Sequence, residues 1–534
     1  MKTFALIVLL AAAFTAQSAG AASPAVYDAR VEGRAVLTPP APAAPLINTP
    51  EVYGRRPGRP FIYRIPATGV RPMRFSAENL PGSLKLNTAT GILTGRAPAK
   101  PGEYTITIHA ANSAGKDARR FTVVAGEKLA LTPPMGWNHW YTHYHFITDA
   151  KVRAAADAMV SSGMADAGYA YVSIDDCWMR IAPDDVPLTL NKKRTASTGL
   201  DVEAVAGAPR DADGRMIPNN NFPDMAALTA YIHSYGLKAG IYTSPGPRTC
   251  QEFAGSYQHE RIDAETYARW GFDLLKYDWC RYGEVFAKLP EQGLAQRQQP
   301  YKLMGEILGG LDRDILYNLC QYGAGDVWEW GPAVGGHSWR IGGDLGHTLT
   351  EGGVYKIARK TIGLRAFNGP GQWNDPDYVI LGKWVNPFDK AKPPAPVQLT
   401  PNEQYSYMSL WCLMASPLFF SGDMGEIDAF TRNILCNREM IAVNQDRLGQ
   451  TAAPVHLDED YWVLRKDLAD GTVVVGFFDI ANSGDRQITV SWADLGFKGP
   501  KTPRDLWRQR DLPPADGAFS VKIGPHGAAV IQFR

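Results

Sequence analysis

Eight short apolar segments within residues 129–447 place the strongest limit on how this chain can fold. Amphipathic helical stretches, such as Thr148 to Gly163 and Asp224 to Gly236, lie between them. The segments end at Trp137-Asn138, Asp175-Asp176, Tyr242-Thr243, Asp278, Cys320-Gln321, Arg340, Trp373-Asn374 and Phe419-Phe420. Eight strand–helix units at this spacing predict a (β/α)8 barrel with these residues at one end. An open doubly wound sheet is the alternative, but no glycine-rich phosphate loop follows the first strand.

The regions on either side of the barrel predict two β-domains, and a chain of 534 residues is long enough for several cores. Residues 47–126 alternate in apolar character and contain turn signals such as Pro81-Gly82, which predicts an immunoglobulin-like β-sandwich. Residues 448–534 alternate in the same way, with Asp470-Gly471 as a hairpin turn, and predict an antiparallel C-terminal β-sandwich. Residues 23–46 are rich in Ala and Pro and predict a flexible lead-in.

The first 22 residues have the three parts of a secretory signal peptide. Lys2 supplies the positive charge, Phe4 to Ala13 the apolar stretch, and Ala19-Gly20-Ala21 the small-residue cleavage site. We therefore expect a secreted or periplasmic protein, with a short N-terminal anchor as the alternative. The apolar stretch is too short to span a bilayer, and no other segment is a candidate membrane span.

Several function classes find no support in the sequence. The net charge of +1 gives no electrostatic reason to expect a nucleic acid partner. No GxSxG motif indicates a serine hydrolase. The six cysteines form no CxxC pair, and the cluster of His139, His143 and His145 lacks an HExxH motif, so no metal site is predicted. One disulfide between neighbouring barrel loops would be compatible with export.

Two aspartates at strand ends point to glycosidic bond cleavage. Asp278 ends the apolar run Leu274 to Tyr277, and Asp344 follows the run that ends at Arg340. A retaining glycosidase needs one carboxylate as nucleophile and a second carboxyl group as acid and base. Lys276, on the same strand face as Asp278, is expected to keep that aspartate ionised, and Arg340 to orient Asp344 or hold a sugar hydroxyl. The alternative is a buried Asp–Lys pair that serves stability only.

Other polar and aromatic residues at strand ends are candidates for binding sugar hydroxyls and the apolar face of a sugar ring. Asp175 and Asp176 follow one strand, and Asp377 lies on a turn fixed by a proline. Trp140 and Tyr242 are the candidate aromatic surfaces. The alternatives for the Asp175-Asp176 pair are a loop metal site or a helix cap, although the local sequence offers few further oxygen ligands.

With these residues identified, residues 129–447 resemble glycoside hydrolase family 27, the family of α-galactosidases and α-N-acetylgalactosaminidases. The resemblance rests on seven motifs in order, namely Leu131 to Trp137, Ile174 to Trp178, Gly240 to Tyr242, Leu275 to Asp278, Trp339-Arg340 with Asp344, Gly371 to Asp377, and Asn444 to Asp446. The N-terminal module is similar to the immunoglobulin-like modules of bacterial secreted enzymes.

This resemblance implies a (β/α)8 barrel with a C-terminal antiparallel domain, and retaining hydrolysis of terminal α-D-galactosides in oligosaccharides, polysaccharides or glycoconjugates. It implies Asp278 as nucleophile, Asp344 as acid and base, a disulfide between Cys250 and Cys280, and no cofactor. The residues that it implies as sugar ligands are Trp140, Asp175, Asp176, Tyr242, Lys276, Arg340 and Asp377.

The chain departs from the animal members of the family at two positions implied to face the C2 substituent of the sugar. Gln321 replaces a glutamate and is still expected to contact the sugar, while the small Ala324 leaves room for an N-acetyl group. We favour galactose, because Asp175-Asp176 suits an axial O4 and a C6 hydroxyl. The alternatives are N-acetylgalactosaminidase, β-L-arabinopyranosidase and isomalto-dextranase activities, and, outside enzymes, a carbohydrate-binding protein.

Overall fold

The barrel sheet has eight parallel strands, whose side chains are almost all buried. The computed structural model describes residues 25–190, 200–389, 392–481 and 484–534, so the predicted signal peptide lies outside the described residues. The strands are β1 Met135–Asn138, β2 Tyr171–Ser173, β3 Lys238–Thr243, β4 Leu274–Asp278, β5 Leu316–Cys320, β6 Ser338–Arg340, β7 Trp373–Asp375 and β8 Leu418–Phe420. Burial on both faces explains the continuous apolar runs in the sequence, because helices cover a parallel sheet from outside.

The strand order shows that the sheet is a closed barrel. Strands β1 to β7 are neighbours in sequence order, and β8 lies beside β1. The segment after β7 joins β8 through two backbone hydrogen bonds: Val379 N–H donates to Phe419 O at 2.7 Å, and Ser421 N–H donates to Val379 O at 2.9 Å. The predicted (β/α)8 barrel is confirmed, and the carboxyl ends of all eight strands meet at one end of it.

A helix follows every strand of the barrel, as the alternating sequence pattern predicts. These helices are α1 Asp149–Ser161, α2 Met225–Ser234, α3 Glu260–Trp270, α4 Leu294–Gly310, α5 Val327–Trp330, α6 Glu351–Gly363, α7 Pro401–Leu413 and α8 Ala429–Leu435, with Arg438–Asn444 after α8. Thr148 caps α1 by accepting from Lys151 N–H, and Asp224 caps α2 by accepting from Ala227 N–H. Both caps satisfy N–H groups that have no partner within the first helical turn.

The N-terminal module has two facing antiparallel layers around its own apolar core. The four-stranded layer contains Val52–Arg55, Gly115–Ala125, Gly102–Asn112 and Arg74–Glu78, in that spatial order, and the three-stranded layer contains Pro60–Arg64, Ile92–Arg96 and Leu84–Asn87. Only the outer pair Val52–Arg55 and Gly115–Ala125 is parallel. The predicted immunoglobulin-like sandwich is confirmed.

The C-terminal region is a second sandwich, as predicted. Its larger sheet contains Ala453–Leu457, Tyr461–Asp467, Val473–Asp479, Ala528–Phe533, Pro503–Asp505 and Arg510–Asp511. Helix α7 is buried along most of its length between the barrel and this sheet. It therefore lacks the polar face of a surface helix, which explains why no amphipathic pattern marks it in the sequence.

The prediction of a flexible lead-in at residues 23–46 is wrong for its described part. Val26–Asp28 forms a strand parallel to Ala518–Ile523 in the smaller C-terminal sheet, which Arg486–Ser491 completes. Ala29 is 1% exposed in the core of that sandwich. Farther along, Thr38 N–H donates to Asn433 Oδ1 at 2.8 Å. The Ala- and Pro-rich composition misled the prediction because the partners that hold the segment lie about 400 to 500 residues away in sequence.

A disulfide joins Cys250, in the loop after β3, to Cys280, which lies two residues after the end of β4. This is the pairing that the family resemblance implies. Cys177, Cys320 and Cys412 are buried and take no part in this disulfide. Among the described residues, we find no helix with the length and apolar character needed to cross a bilayer.

Candidate active site

A cavity of about 340 Å³ opens at the carboxyl end of the barrel strands. It lies at the position where (β/α)8 enzymes hold their active sites, and its size is at the small end of the roughly 300–1,000 Å³ typical of ligand pockets. Nine of the ten predicted catalytic and sugar-binding residues line it, namely Trp140, Asp175, Asp176, Tyr242, Lys276, Asp278, Arg340, Asp344 and Asp377. The barrel thus brings together side chains that are separated by more than 200 residues in sequence.

Asp278, the last residue of β4, is held in place by two phenols and a backbone amide. Tyr322 OH donates to its Oδ1 at 2.6 Å, Tyr242 OH to its Oδ2 at 3.1 Å, and Trp279 N–H to its Oδ1 at 2.7 Å. Burial raises the pKa of Asp278, and the charge of Asp344 acts in the same direction. The charge of Lys276 and the hydrogen bond from Tyr322 oppose that rise in pKa by stabilising the carboxylate.

Asp344 lies on the wetter side of the cavity. Its side chain is 32% exposed, whereas the Asp278 residue is 5% exposed. Arg340, at the end of β6, places Nη2 3.2 Å from Asp344 Oδ1 and 3.1 Å from Asp377 Oδ2. One guanidinium group therefore contacts both carboxylates. Because Asp344 also acts on the pKa of Asp278, the two aspartates proposed for catalysis share one electrostatic environment.

Asp377 is held on a constrained turn after β7. Its φ of +96° is rarely adopted by a residue other than glycine. The carboxylate accepts from Leu345 N–H at 2.7 Å and from Tyr378 N–H at 2.8 Å, in addition to its contact with Arg340. Burial raises the pKa of Asp377 to about 6, against the effect of the arginine. Such strained positions are concentrated at functional sites, because surrounding contacts must compensate their cost.

Lys276 forms its ion pair with Asp175, while its charge also lowers the pKa of Asp278, as the sequence predicted. Its Nζ lies 2.8 Å from Asp175 Oδ2, and that oxygen also accepts from Asn138 Nδ2 at 3.0 Å and from Tyr378 OH at 2.9 Å. Burial by itself would raise the pKa of Asp175, but the lysine charge holds it below its usual value. Lys276 reaches the end of β2, two strands away, because alternate side chains of β4 point into the barrel.

Asp176 is bound mainly through backbone amides, whereas Asp175 forms an ion pair with a lysine. It accepts from Cys177 N–H at 2.7 Å and from Gln251 N–H at 2.9 Å. No lysine or arginine forms an ion pair with it in the described ranges, and burial together with the charge of Asp175 raises its pKa to about 7. Of the two neighbouring acids, Asp175 is therefore the fixed anion, and Asp176 changes its charge near neutral pH.

His139, one of the three clustered histidines, supports the backbone at Asp175 and Tyr144 through hydrogen bonds. His139 accepts from Asp175 N–H through Nδ1 at 2.9 Å, and its Nε2 lies 3.2 Å from Tyr144 O, so Nε2 carries the proton. Burial lowers the pKa of His139 to about 3, which agrees with a neutral ring. Cys250, Asp278 and Cys280 also lie together, but both sulfurs are in the disulfide and supply no thiolate ligand.

Gln321 does not line the cavity, in contrast to its predicted contact with the sugar. The residue is 1% exposed, and its Oε1 accepts from Ala324 N–H at 2.6 Å. The side chain thus stabilises the turn after β5, and the next residue, Tyr322, takes the position on the cavity wall with a φ of +64°. The reversal of the backbone at this turn explains the difference, and no sequence pattern indicates it.

The cavity also includes residues that the sequence analysis did not select as catalytic or sugar-binding, namely Tyr141, Tyr144, Cys250, Gln251, Tyr322, His347 and Tyr378. Tyr322 and Tyr378 directly follow Gln321 and Asp377, which were selected, and this adjacency is the sequence signal that could have identified them. His347 lies three residues after Asp344 and carries no signal of its own.

A (β/α)8 barrel with two aspartates from different strand ends in one cavity, among groups suited to hydroxyls, defines a glycoside hydrolase. Comparisons with known proteins agree. The family profile described as "Alpha galactosidase A" matches residues 132–203 and 200–446, and that of the "Alpha galactosidase C-terminal beta sandwich domain" matches residues 458–533. A "Putative Ig domain" profile matches residues 44–126. The chain belongs to the alpha-galactosidase family, glycoside hydrolase family 27.

Individual relatives extend this match to most of the chain. An alpha-galactosidase of Cyamopsis tetragonoloba is 33% identical over 423 residues, covering 78% of this chain and 90% of the relative. Alpha-galactosidase A of Cellvibrio japonicus is 36% identical over 429 residues, covering 76% of this chain and 93% of the relative. A Bacteroides fragilis crystal structure, described as a "putative alpha-galactosidase/melibiase", superposes with a TM-score of 0.80 at 32% identity, covering 94% of this chain and 99% of that one.

Proposed function

We propose that this glycoside hydrolase removes terminal α-D-galactosyl residues with retention of configuration, through a covalent glycosyl-enzyme intermediate. The observation that carries the proposal is the pairing of a buried, phenol-bonded Asp278 with a partly exposed Asp344 in one cavity. The names of the relatives support galactose as the sugar. Two carboxyl groups in one cavity are what the retaining mechanism requires, and retention is the outcome that the family resemblance implies.

Asp278 acts as the nucleophile. The hydrogen bonds from Tyr322 and Tyr242 fix both carboxylate oxygens, so that the side chain is oriented before substrate binds. One oxygen attacks the anomeric carbon as the bond from that carbon to the leaving oxygen breaks. The positive charge that develops on the sugar in the transition state is stabilised by this buried carboxylate.

Asp344 acts as the general acid and then as the general base. In the first step its carboxyl group protonates the leaving oxygen, and in the second step its carboxylate takes a proton from the water that attacks the glycosyl ester of Asp278. Its partial exposure suits both roles, because the leaving group departs and water enters on this side. Arg340 holds the carboxylate in place throughout.

The remaining charged residues bind the hydroxyl groups of the galactosyl ring. Asp175 and Lys276 form a fixed ion pair that offers both an acceptor and a donor, and Asp176 adds a carboxyl group beside it. Arg340 and Asp377 form a second ion pair nearby. A site built of polar groups in this way discriminates strongly against sugars that leave those groups unpaired.

The proposal is tested by product stereochemistry and by removal of the nucleophile. Proton NMR of the wild-type reaction should show α-galactose before mutarotation, and β-galactose as first product would contradict retention. Asp278→Ala should lower turnover of 4-nitrophenyl α-galactoside by several orders of magnitude while circular dichroism is unchanged. The N-acetylated analogue, assayed in parallel, should be hydrolysed much more slowly, and an equal or faster rate would favour the galactosaminidase alternative.

We also propose that the protein is exported, because residues 1–22 have the organisation of a signal peptide. Expression of the full chain in a bacterial host should yield an extracytoplasmic protein whose first residue, by mass spectrometry, is Ala22 or Ser23. Recovery of the full-length chain in the cytoplasmic fraction would contradict this expectation.

A further inference from the structure

Phe388 is the most exposed large apolar side chain in the described part of the molecule, at 69%. A single exposed aromatic residue is not unusual on a protein surface. Phe388, however, lies beside the active-site cavity. Its ring is 5.4 Å from the ring of His347, at an interplanar angle of 40°, and His347 lines that cavity. The exposed aromatic surface is therefore continuous with the cavity wall.

The turn that carries Phe388 is held to the same wall. Val385 N–H donates to Tyr141 O at 2.7 Å, and Tyr144 OH donates to Val385 O at 3.3 Å. Asn386 Oδ1 accepts from Phe388 N–H at 2.9 Å, which is the pattern of an Asx turn and fixes the direction of the backbone. Phe388 is thus presented by a turn tied to cavity residues.

The His347–Phe388 pair lies on the side of the cavity from which the leaving group departs. His347 belongs to the short helix Leu345–Thr348, which begins directly after Asp344. Asp344 is the proposed acid, so it must contact the oxygen that joins the galactosyl ring to its leaving group. The leaving group attached to that oxygen therefore extends outward past Asp344, whose carboxylate is partly exposed to solvent.

We propose that Phe388, supported by His347, forms the surface on which the leaving sugar of an α-galactoside packs. The ligand class is a leaving group with a flat apolar face, such as a pyranose ring, because aromatic rings pack favourably on such faces. Phe388 then determines specificity for the leaving group and takes no part in bond cleavage. This inference rests on the proposed function.

The test compares two substrates that share the galactosyl group and differ in the leaving group. The leaving group of melibiose contains a pyranose ring, whereas that of α-D-galactosyl fluoride is a fluoride ion with no ring to pack on Phe388. Phe388→Ala should lower kcat/KM for melibiose, relative to that for the fluoride, by about 3- to 10-fold, the range expected for one aromatic contact. Phe388→Trp should restore most of this ratio. Val70→Ala, which removes exposed apolar surface in the N-terminal sandwich, should leave the ratio at its wild-type value.

Each outcome separates this inference from the proposed function. If the wild-type enzyme hydrolyses both substrates and Phe388→Ala leaves their ratio unchanged, or lowers both values equally, Phe388 does not contact the leaving sugar. If the wild-type enzyme hydrolyses neither substrate, the α-galactosidase proposal fails and this inference fails with it.

Discussion

Replacement of Lys276 by methionine tests the central ion pair of the site. Methionine retains an unbranched side chain as far as Cε but removes the ammonium group that lies 2.8 Å from Asp175 Oδ2. Asp175 keeps its hydrogen bonds from Asn138, Tyr378 and Asp176 N–H. The Lys276→Met variant therefore tests how much the buried carboxylate depends on its only lysine partner in the described ranges.

The expected loss of stability follows from these contacts. Removal of one partner of a buried ion pair costs about 3–5 kcal/mol when the other charge is left without compensation. Three hydrogen bonds remain on Asp175, so we expect the lower end of this range, about 3 kcal/mol, and a fall of roughly 5 °C in the melting temperature of the barrel. Because the pKa of Asp175 is lowered in the folded state, Asp175 is charged at neutral pH, and the full loss of unfolding free energy is expected there. It shrinks as the pH falls towards the value at which Asp175 is protonated.

A double-mutant cycle with Asp175→Asn provides the control. Calorimetric melting at pH 7 should show that Lys276→Met with Asp175→Asn is more stable than Lys276→Met alone, since the uncompensated charge is gone. Strictly additive losses in the cycle, or an unchanged melting temperature in Lys276→Met, would refute the assignment of Asp175 as the partner of Lys276.

Two further predictions concern the nucleophile and the N-terminal segment. Tyr322→Phe removes a hydrogen bond that lowers the pKa of Asp278, so the acid limb of the kcat/KM profile should move to higher pH, and a limb at the wild-type position or below it would contradict this role. Tyr301→Phe is the matched control, because the native Tyr301 hydroxyl has no hydrogen-bond partner among the described residues. The second comparison is between a chain that starts at residue 39 and one that starts at residue 25. The C-terminal sandwich of the shorter chain should melt several degrees lower and be cleaved faster by protease, because the strand Val26–Asp28 and the buried Ala29 are lost. Arg34→Ala, which removes an exposed ion pair with Asp428 and a cation–π contact with Phe430, should change little. Equal melting of the long and short chains would show that the segment does not stabilise the sandwich.

The sequence alone determined the architecture and most of the cavity wall. Strand and helix periods are local properties, so the eight barrel strands and the helical stretches that begin at Thr148 and Asp224 could be located from short windows. In a parallel barrel the strand ends must meet, so polar residues at those ends had to converge. Asp278 and Asp344 could be selected on this basis before any contact was known.

Only the tertiary structure decided how these side chains pair. Lys276 contacts Asp175, 101 residues away, and not Asp278, two residues away. The amide of Gln321 turns into its own loop, and the N-terminal segment gains a strand partner in the last domain. Side-chain pairing depends on the three-dimensional distance between strand ends and on the direction of turns, and neither is expressed in a local pattern of apolar and polar residues.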